Sequence, residues 1–145
     1  MISQQFKYQS QIDKLLSLGY KLPPLIAPED KDACRFASSL PDAQNHVPQY
    51  MSNPKRMLHD MSANKATTSL LALSCFESET KATKFYSALQ KSNPRAVKSI
   101  GDSLAEGVIT DDDGRITEPT ANGHFDLYEY VQCDLNKTFK IICKL

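Results

Sequence analysis

The chain has 145 residues, 41% of them hydrophobic and 23% charged, the size and make-up of one ordinary globular domain, which excludes a disordered or collagen-like chain. Its 17 basic residues balance 17 acidic ones, and that argues against a nucleic-acid coat protein or a polybasic membrane anchor. The balance hides a division, because residues 1–100 carry 13 basic and 8 acidic side chains while residues 101–145 carry 4 and 9.

In chain order, Ser10–Leu18 has the spacing of a short helix, with Ser10 as cap, Ile12, Leu15 and Leu16 on one face, and Gly19 as stop. Pro23, Pro24 and Pro28 then impose an extended connection. This divides an N-terminal part, residues 1–32, from a core, residues 33–145, within one domain. Cys34–Ala37 predicts a short first strand, and residues 38–52, rich in Ser, Pro, Asp, Asn and Gln, predict a surface loop. Asn53-Pro54 opens a helix to about Met61.

Thr67–Phe76 is nearly continuous in apolar character and predicts a central strand, buried on both faces. Ser78 then caps a helix to about Lys91, with Ala82, Phe85, Tyr86 and Leu89 on one side and Lys81, Lys84 and Lys91 on the other. Asn93-Pro94 ends that helix. Arg95–Leu104 fits a helix or a strand, and a strand over Val97–Leu104 is the reading favoured.

Beyond it, Val108–Thr110 and Arg115–Thr117 flank Asp111-Asp112-Asp113-Gly114, which predicts a hairpin turn. Phe125, Leu127 and Glu129 alternate with Asp126, Tyr128 and Tyr130, and a turn or short helical segment follows around Asn136. Thr138–Leu145 then closes the chain as a strand, with Phe139, Ile141, Cys143 and Leu145 on one face. Together these elements predict an α+β domain with two or three helices on a mainly antiparallel sheet, formed largely by the C-terminal half.

No basic segment followed by an apolar one opens the chain, and no apolar run approaches the roughly 20 residues that span a bilayer. The cysteines, at 34, 75, 133 and 143, lack Cys-x-x-Cys spacing, and the three histidines are scattered. Free buried thiols in a reducing cytoplasm, with no metal site, are therefore expected. The acidic turn at Asp111–Gly114 is not a calcium loop, since its Gly comes too early and no Glu sits at the twelfth position.

Candidate sites follow from charge and chemistry. Lys81, Lys84 and Lys91 form a basic helix face suited to an anion or to solvent. Asp102, Glu106, Asp111, Asp112, Asp113, Glu118, Asp126 and Glu129 make an acidic run. Such a run either solvates a sheet edge or docks a basic protein partner. Asn122–Tyr130 is the most chemically loaded stretch, with His124, Tyr128 and Glu129 as acid–base, stacking and carboxylate groups. Ser74 and Cys75 end the predicted central strand, without the Gly-x-Ser-x-Gly elbow of a serine hydrolase.

The order Leu73-Ser74-Cys75-Phe76, a helix from Ser78, then Gly123-His124-Phe125-Asp126-Leu127 resembles a group of small uncharacterised bacterial proteins. An Arg on an early strand, a Ser-bearing strand leading into a helix and a late Glu also resemble the layout of ADP-ribosyltransferase-like folds. That resemblance spans residues 33–143. It implies NAD as cofactor, with Arg35 holding its phosphates, Ser74 ordering the nicotinamide pocket, and Glu129 or Glu118 polarising the ribose.

Two functions are therefore expected from the sequence. The first is a non-catalytic cytoplasmic interaction protein of immunity, antitoxin or inhibitor type, binding a basic partner through the acidic C-terminal surface, without a cofactor or nucleic acid. The second is an NAD-using enzyme built on Arg35, Ser74, His124 and Glu129. The charge division also admits self-association through complementary faces.

Overall fold

The computed structural model describes residues 4–40, 45–52 and 68–145. The chain order is α1 (Gln9–Ser17), β1 (Lys31–Ala37), α2 (Gln49–Ser52), a 3-10 turn (Thr68–Leu71), β2 (Leu73–Phe76), α3 (Glu79–Ser92), α4 (Pro94–Ile100), β3 (Ser103–Ile109), β4 (Gly114–Ile116), β5 (His124–Glu129), α5 (Leu135–Thr138) and β6 (Lys140–Lys144). The six strands form one sheet in the order β4-β5-β2-β1-β3-β6. Every pairing is antiparallel. This is an α+β fold, with five of the six strands drawn from the C-terminal half.

Local chemistry accounts for the best-marked elements. The Ser78 side chain accepts the Lys81 N–H at the start of α3, and Asn93 accepts the Ala96 N–H at the start of α4, with Pro94 at its first position. Both are capping interactions that satisfy otherwise unpaired first-turn donors. Gly101, at φ 122°, turns the chain from α4 into β3. A Cβ there would run into the Ala37 carbonyl at the end of β1.

The sheet is rolled. In the strand order β3 and β4 stand four spacings apart, about 19 Å if the sheet were flat. Yet residues 110–113 join them through a tight turn in which the Asp113 N–H meets the Thr110 carbonyl at 3.0 Å. Such a turn brings its ends within about 7 Å, so the sheet must curl. Ala33, Ala105, Leu73, Phe125, Ile116 and Ile109 of five strands accordingly share one cluster on the inner face, closed by Leu135 and Phe139. At roughly 1.5–3 kcal/mol for each large side chain, this cluster is the main source of stability.

The outer face carries two separate groups. Cys34, Phe76 and Leu104 pack under Ala82 of α3. At the far end, Tyr128 packs with Ile12 and Leu15 of α1 and Leu71 of the 3-10 turn, and its hydroxyl meets Thr68 Oγ1 at 3.0 Å.

Several sequence expectations change. The acidic turn is present, but β3 and β4 do not pair, because each finds its ladder elsewhere in the rolled sheet. The strand expected over Val97–Leu104 is split by Gly101 into α4 and the start of β3. Thr68–Leu71 forms a 3-10 turn, which leaves a four-residue β2. Ser10 is not the cap of α1; Tyr8 holds that place without a side-chain hydrogen bond. β1 starts three residues earlier than expected, at Lys31. The helix expected from Asn53 lies outside the described residues.

On the β6 edge Ile141 and Ile142 are half exposed between Lys140 and Lys144, charges that discourage strand-to-strand association. No helix among the described residues is long and apolar enough to cross a membrane.

Candidate functional site

β1 and β3 pair along seven residues, but β1 and β2 pair only at Cys34 and Phe76. Beyond that point the two central strands part. Arg35 shares the inner-face parity of Ala33 and Ala37, and its guanidinium turns into the gap. Nη1 donates to the Ser74 carbonyl at 2.5 Å, Nη2 to the Asn45 carbonyl at 3.1 Å, and Nε to His46 Nδ1 at 3.2 Å. His46 is held neutral, its pKa pushed down to about 4 by burial and then by the Arg35 charge. It stacks on Phe139. Asn45 keeps this segment in place by accepting the Ser38 N–H and donating to the Ser38 carbonyl.

On the outer face the parted strands open a cleft of about 1050 Å³, the size of a cofactor pocket. It runs between the α3–α4 layer and the 3-10 turn. Phe36, Phe85, Tyr86 and Leu89 line one side, Leu70 and Ala72 the other, and Arg35 and Ser74 lie at its base. The aromatic side is a packed group, with ring centroids 5.7 Å apart for Phe36–Phe76 and Phe36–Tyr86 and 5.0 Å for Phe76–Phe85.

The polar floor comes from strand register. Ser74 of β2 faces Asp126 of β5, and Phe76 faces His124. Residues directly opposite in an antiparallel pair project on the same side, so Ser74, His124 and Asp126 converge. Ser74 Oγ lies 2.6 Å from His124 Nε2, and Asp126 Oδ1 lies 3.6 Å from the same nitrogen. The His124 ring stands edge-on to Phe76. Burial raises the Asp126 carboxyl above its usual range, and the adjacent imidazole offsets part of that rise. Ser74, by contrast, is exposed in an otherwise buried strand, which leaves its hydroxyl open to the cleft.

Glu129, three residues along β5, has the opposite fate. It projects to the inner face, where its side chain is 2% exposed, and pairs with Lys7 Nζ at 2.5 Å. Lys7 also donates to the Cys133 carbonyl, while Glu129 Oε1 has no hydrogen-bond partner among the described residues. Burial raises the Glu129 carboxyl despite the Lys7 hydrogen bond. Burial is the largest single effect on Lys7 and works in the other direction, but the Glu129 hydrogen bond and charge, together with smaller contributions from Cys133 and Tyr8, outweigh it, and the ammonium pKa rises. The two directions differ because Lys7 keeps contact with water and Glu129 does not. Glu129 therefore belongs neither to an acidic surface nor to the cleft, and Asp126 is the carboxylate that stands beside Ser74. Sequence alternation placed Asp126 and Glu129 on opposite faces, but only the β2–β5 register shows which of them meets Ser74.

The other carboxylates are dispersed. Asp102 accepts the Ser39 N–H and hydroxyl and the Ser103 hydroxyl. Those hydrogen bonds hold it below the usual carboxylate range. Asp111 accepts the Glu29 N–H, and Asp113 accepts the Thr110 N–H and hydroxyl. The length of β3, roughly 20 Å at ~3.3 Å per residue, separates Asp102 from the 111–113 turn. Asp112, Glu118 and Glu106 are exposed.

Of the basic helix face, Lys81 is paired with Glu77 at 3.1 Å, alongside the Lys31–Glu77 pair at 2.6 Å, while Lys84 and Lys91 are exposed. All four cysteines are free thiols. Burial pushes those of Cys34 and Cys75 up to about 11. Among the described residues no group of three or more His, Cys, Asp or Glu converges as metal ligands would. Asn45 and His46, which hold Arg35, fall in the stretch that composition marks only as a loop. No family model matches this chain, and no curated protein or solved structure matches it either.

Proposed function

We propose that the cleft binds a dinucleotide of the NAD class and breaks the bond between its nicotinamide and ribose, passing the ADP-ribosyl group to an acceptor. The observation that carries this reading is the parting of β1 and β2 around Arg35, which puts Arg35 and Ser74 at the base of one cleft. The resemblance noted in the sequence calls for an early-strand Arg, a Ser on the strand before a helix and a late Glu, either Glu129 or Glu118. Neither Glu lines the cleft, and the carboxylate beside Ser74 there is Asp126.

The chemistry of the cleft suits such a ligand. Among the described residues Arg35 donates to neutral acceptors, and its charge also acts on the buried Glu129; a guanidinium on the lining of the cleft is the group that suits a diphosphate. Phe36, Phe85 and Tyr86 offer rings for stacking on a base. The other reading, a partner-binding protein with an acidic docking surface, has less to draw on, because the fold disperses the carboxylates that would form the surface.

Calorimetric titration with NAD tests the proposal. The native chain is expected to bind. Ser74→Trp, which fills the floor of the cleft from an exposed position, is expected to abolish binding while leaving the fold intact. A variant with Asp111, Asp112 and Asp113 changed to Asn and Glu118 to Gln is expected to bind as the native chain does. Absence of NAD binding by the native chain overturns the reading.

A further inference from the structure

We infer that Ser74, His124 and Asp126 form a proton relay in which His124 is the base and Asp126 its charge partner, and that the buried Glu129 takes no part. The inference rests on the NAD reading of the same cleft and assigns the groups that move the proton there. Three observations carry it. Ser74 Oγ is within hydrogen-bond distance of His124 Nε2, at 2.6 Å. Asp126 Oδ1 lies 3.6 Å from the same nitrogen. All three residues line the cleft: Ser74 and Asp126 are directly paired on β2 and β5, and His124, paired with Phe76, lies diagonally from Ser74 on the same face.

The shared nitrogen defines the roles. With Nε2 unprotonated, the Ser74 hydroxyl donates to it, and the Asp126 carboxylate has nothing to accept from that atom. When Nε2 takes a proton, the carboxylate faces the new N–H and stabilises the imidazolium at the atom where the charge forms. Asp126 thus differs from a carboxylate on Nδ1, which would orient the ring and fix its tautomer. Here it is a positioning residue that acts only after proton transfer.

With water as acceptor, the step is hydrolysis of the nicotinamide–ribose bond. Water bound at Ser74 Oγ forms the new bond to the anomeric carbon. Its proton passes through the Ser74 hydroxyl to His124 Nε2. The bonding pair of the broken carbon–nitrogen bond returns to the pyridinium nitrogen, so neutral nicotinamide leaves and ADP-ribose remains. No oxidant or reductant is needed, and His124 then gives its proton to solvent.

The experiment measures nicotinamide release from NAD by chromatography, and NAD affinity separately by calorimetry, on the full chain. His124→Gln is expected to bind NAD within about twofold of the native affinity and to release nicotinamide about 100-fold more slowly, the usual weight of a general base. Asp126→Asn and Ser74→Ala are expected to lose about tenfold in release with affinity kept, a split that a merely structural role would not produce. Glu129→Gln and Glu118→Gln are expected to stay within threefold of the native rate. Slow release in a folded Glu129→Gln variant, with Asp126→Asn near native, overturns the inference. Binding by the native chain without nicotinamide release overturns it too and leaves the binding reading standing. Failure to bind NAD at all overturns both.

Discussion

Two carboxylates on one strand, Asp126 and Glu129, are treated in opposite ways by the same sheet. Asp126 is on the outer face, at the base of a cleft and beside an imidazole, with its side chain 21% exposed. Glu129 is on the inner face, 2% exposed and tied to Lys7 from the N-terminal segment. The difference teaches that strand parity, rather than residue type, decides which acid is available for chemistry. Glu129 anchors the chain end, together with the Phe6–Tyr130 bridge and the stacking of those two rings. Asp126 stands where a ligand can reach it.

The largest expected effect comes from breaking the inner pair. Lys7→Met leaves Glu129 buried without its cation and should cost about 3 kcal/mol at pH 7.5, read from urea unfolding. The loss should shrink toward pH 5. Glu129's folded pKa lies above its ordinary 4.5, so its contribution to stability is complete below that value and is lost as pH rises through the raised one. Lys7, raised from an ordinary 10.5, stays charged across this window and does not alter the sign.

A smaller effect is expected from Glu129→Gln, which keeps an acceptor for Lys7 and removes the buried charge. Stability should change by about 1 kcal/mol or less, and the decline expected of the native chain as pH rises above 4.5 should flatten. A steep remaining decline would place the pH dependence elsewhere. On the outer face, Tyr128→Phe should cost about 1 kcal/mol by leaving the buried Thr68 hydroxyl without its partner. The smallest effect is expected for Asp126→Asn, within about 0.5 kcal/mol of native in the same unfolding measurement. A loss comparable to that of Lys7→Met would make Asp126 a structural group and erase the contrast with Glu129.

Part of this contrast was legible in the sequence. The alternation from Phe125 to Tyr130 already separates Asp126 from Glu129, and Ser78 with Asn93-Pro94 marks both ends of α3, because caps act within one turn of chain. The acidic turn is legible for the same reason, but its partners are not. A turn signal acts over four residues, whereas the roll that sends β3 and β4 to different neighbours is set by the whole sheet. The gap between β1 and β2 is likewise a long-range result: Arg35 is visible on a predicted strand, but its grip on Ser74 and Asn45 depends on segments 39 and 10 residues away. The meeting of Ser74, His124 and Asp126 needs the β2–β5 register, which sequence patterning does not supply.

The most direct test of the central claim is an amide and imidazole NMR titration of the full chain with NAD. The account predicts saturable shifts at Phe36, Ser74, His124 and Asp126, with Glu129 and Cys133 unmoved. Shifts confined to the inner-face cluster around Glu129, or to the 111–118 turn, would contradict it.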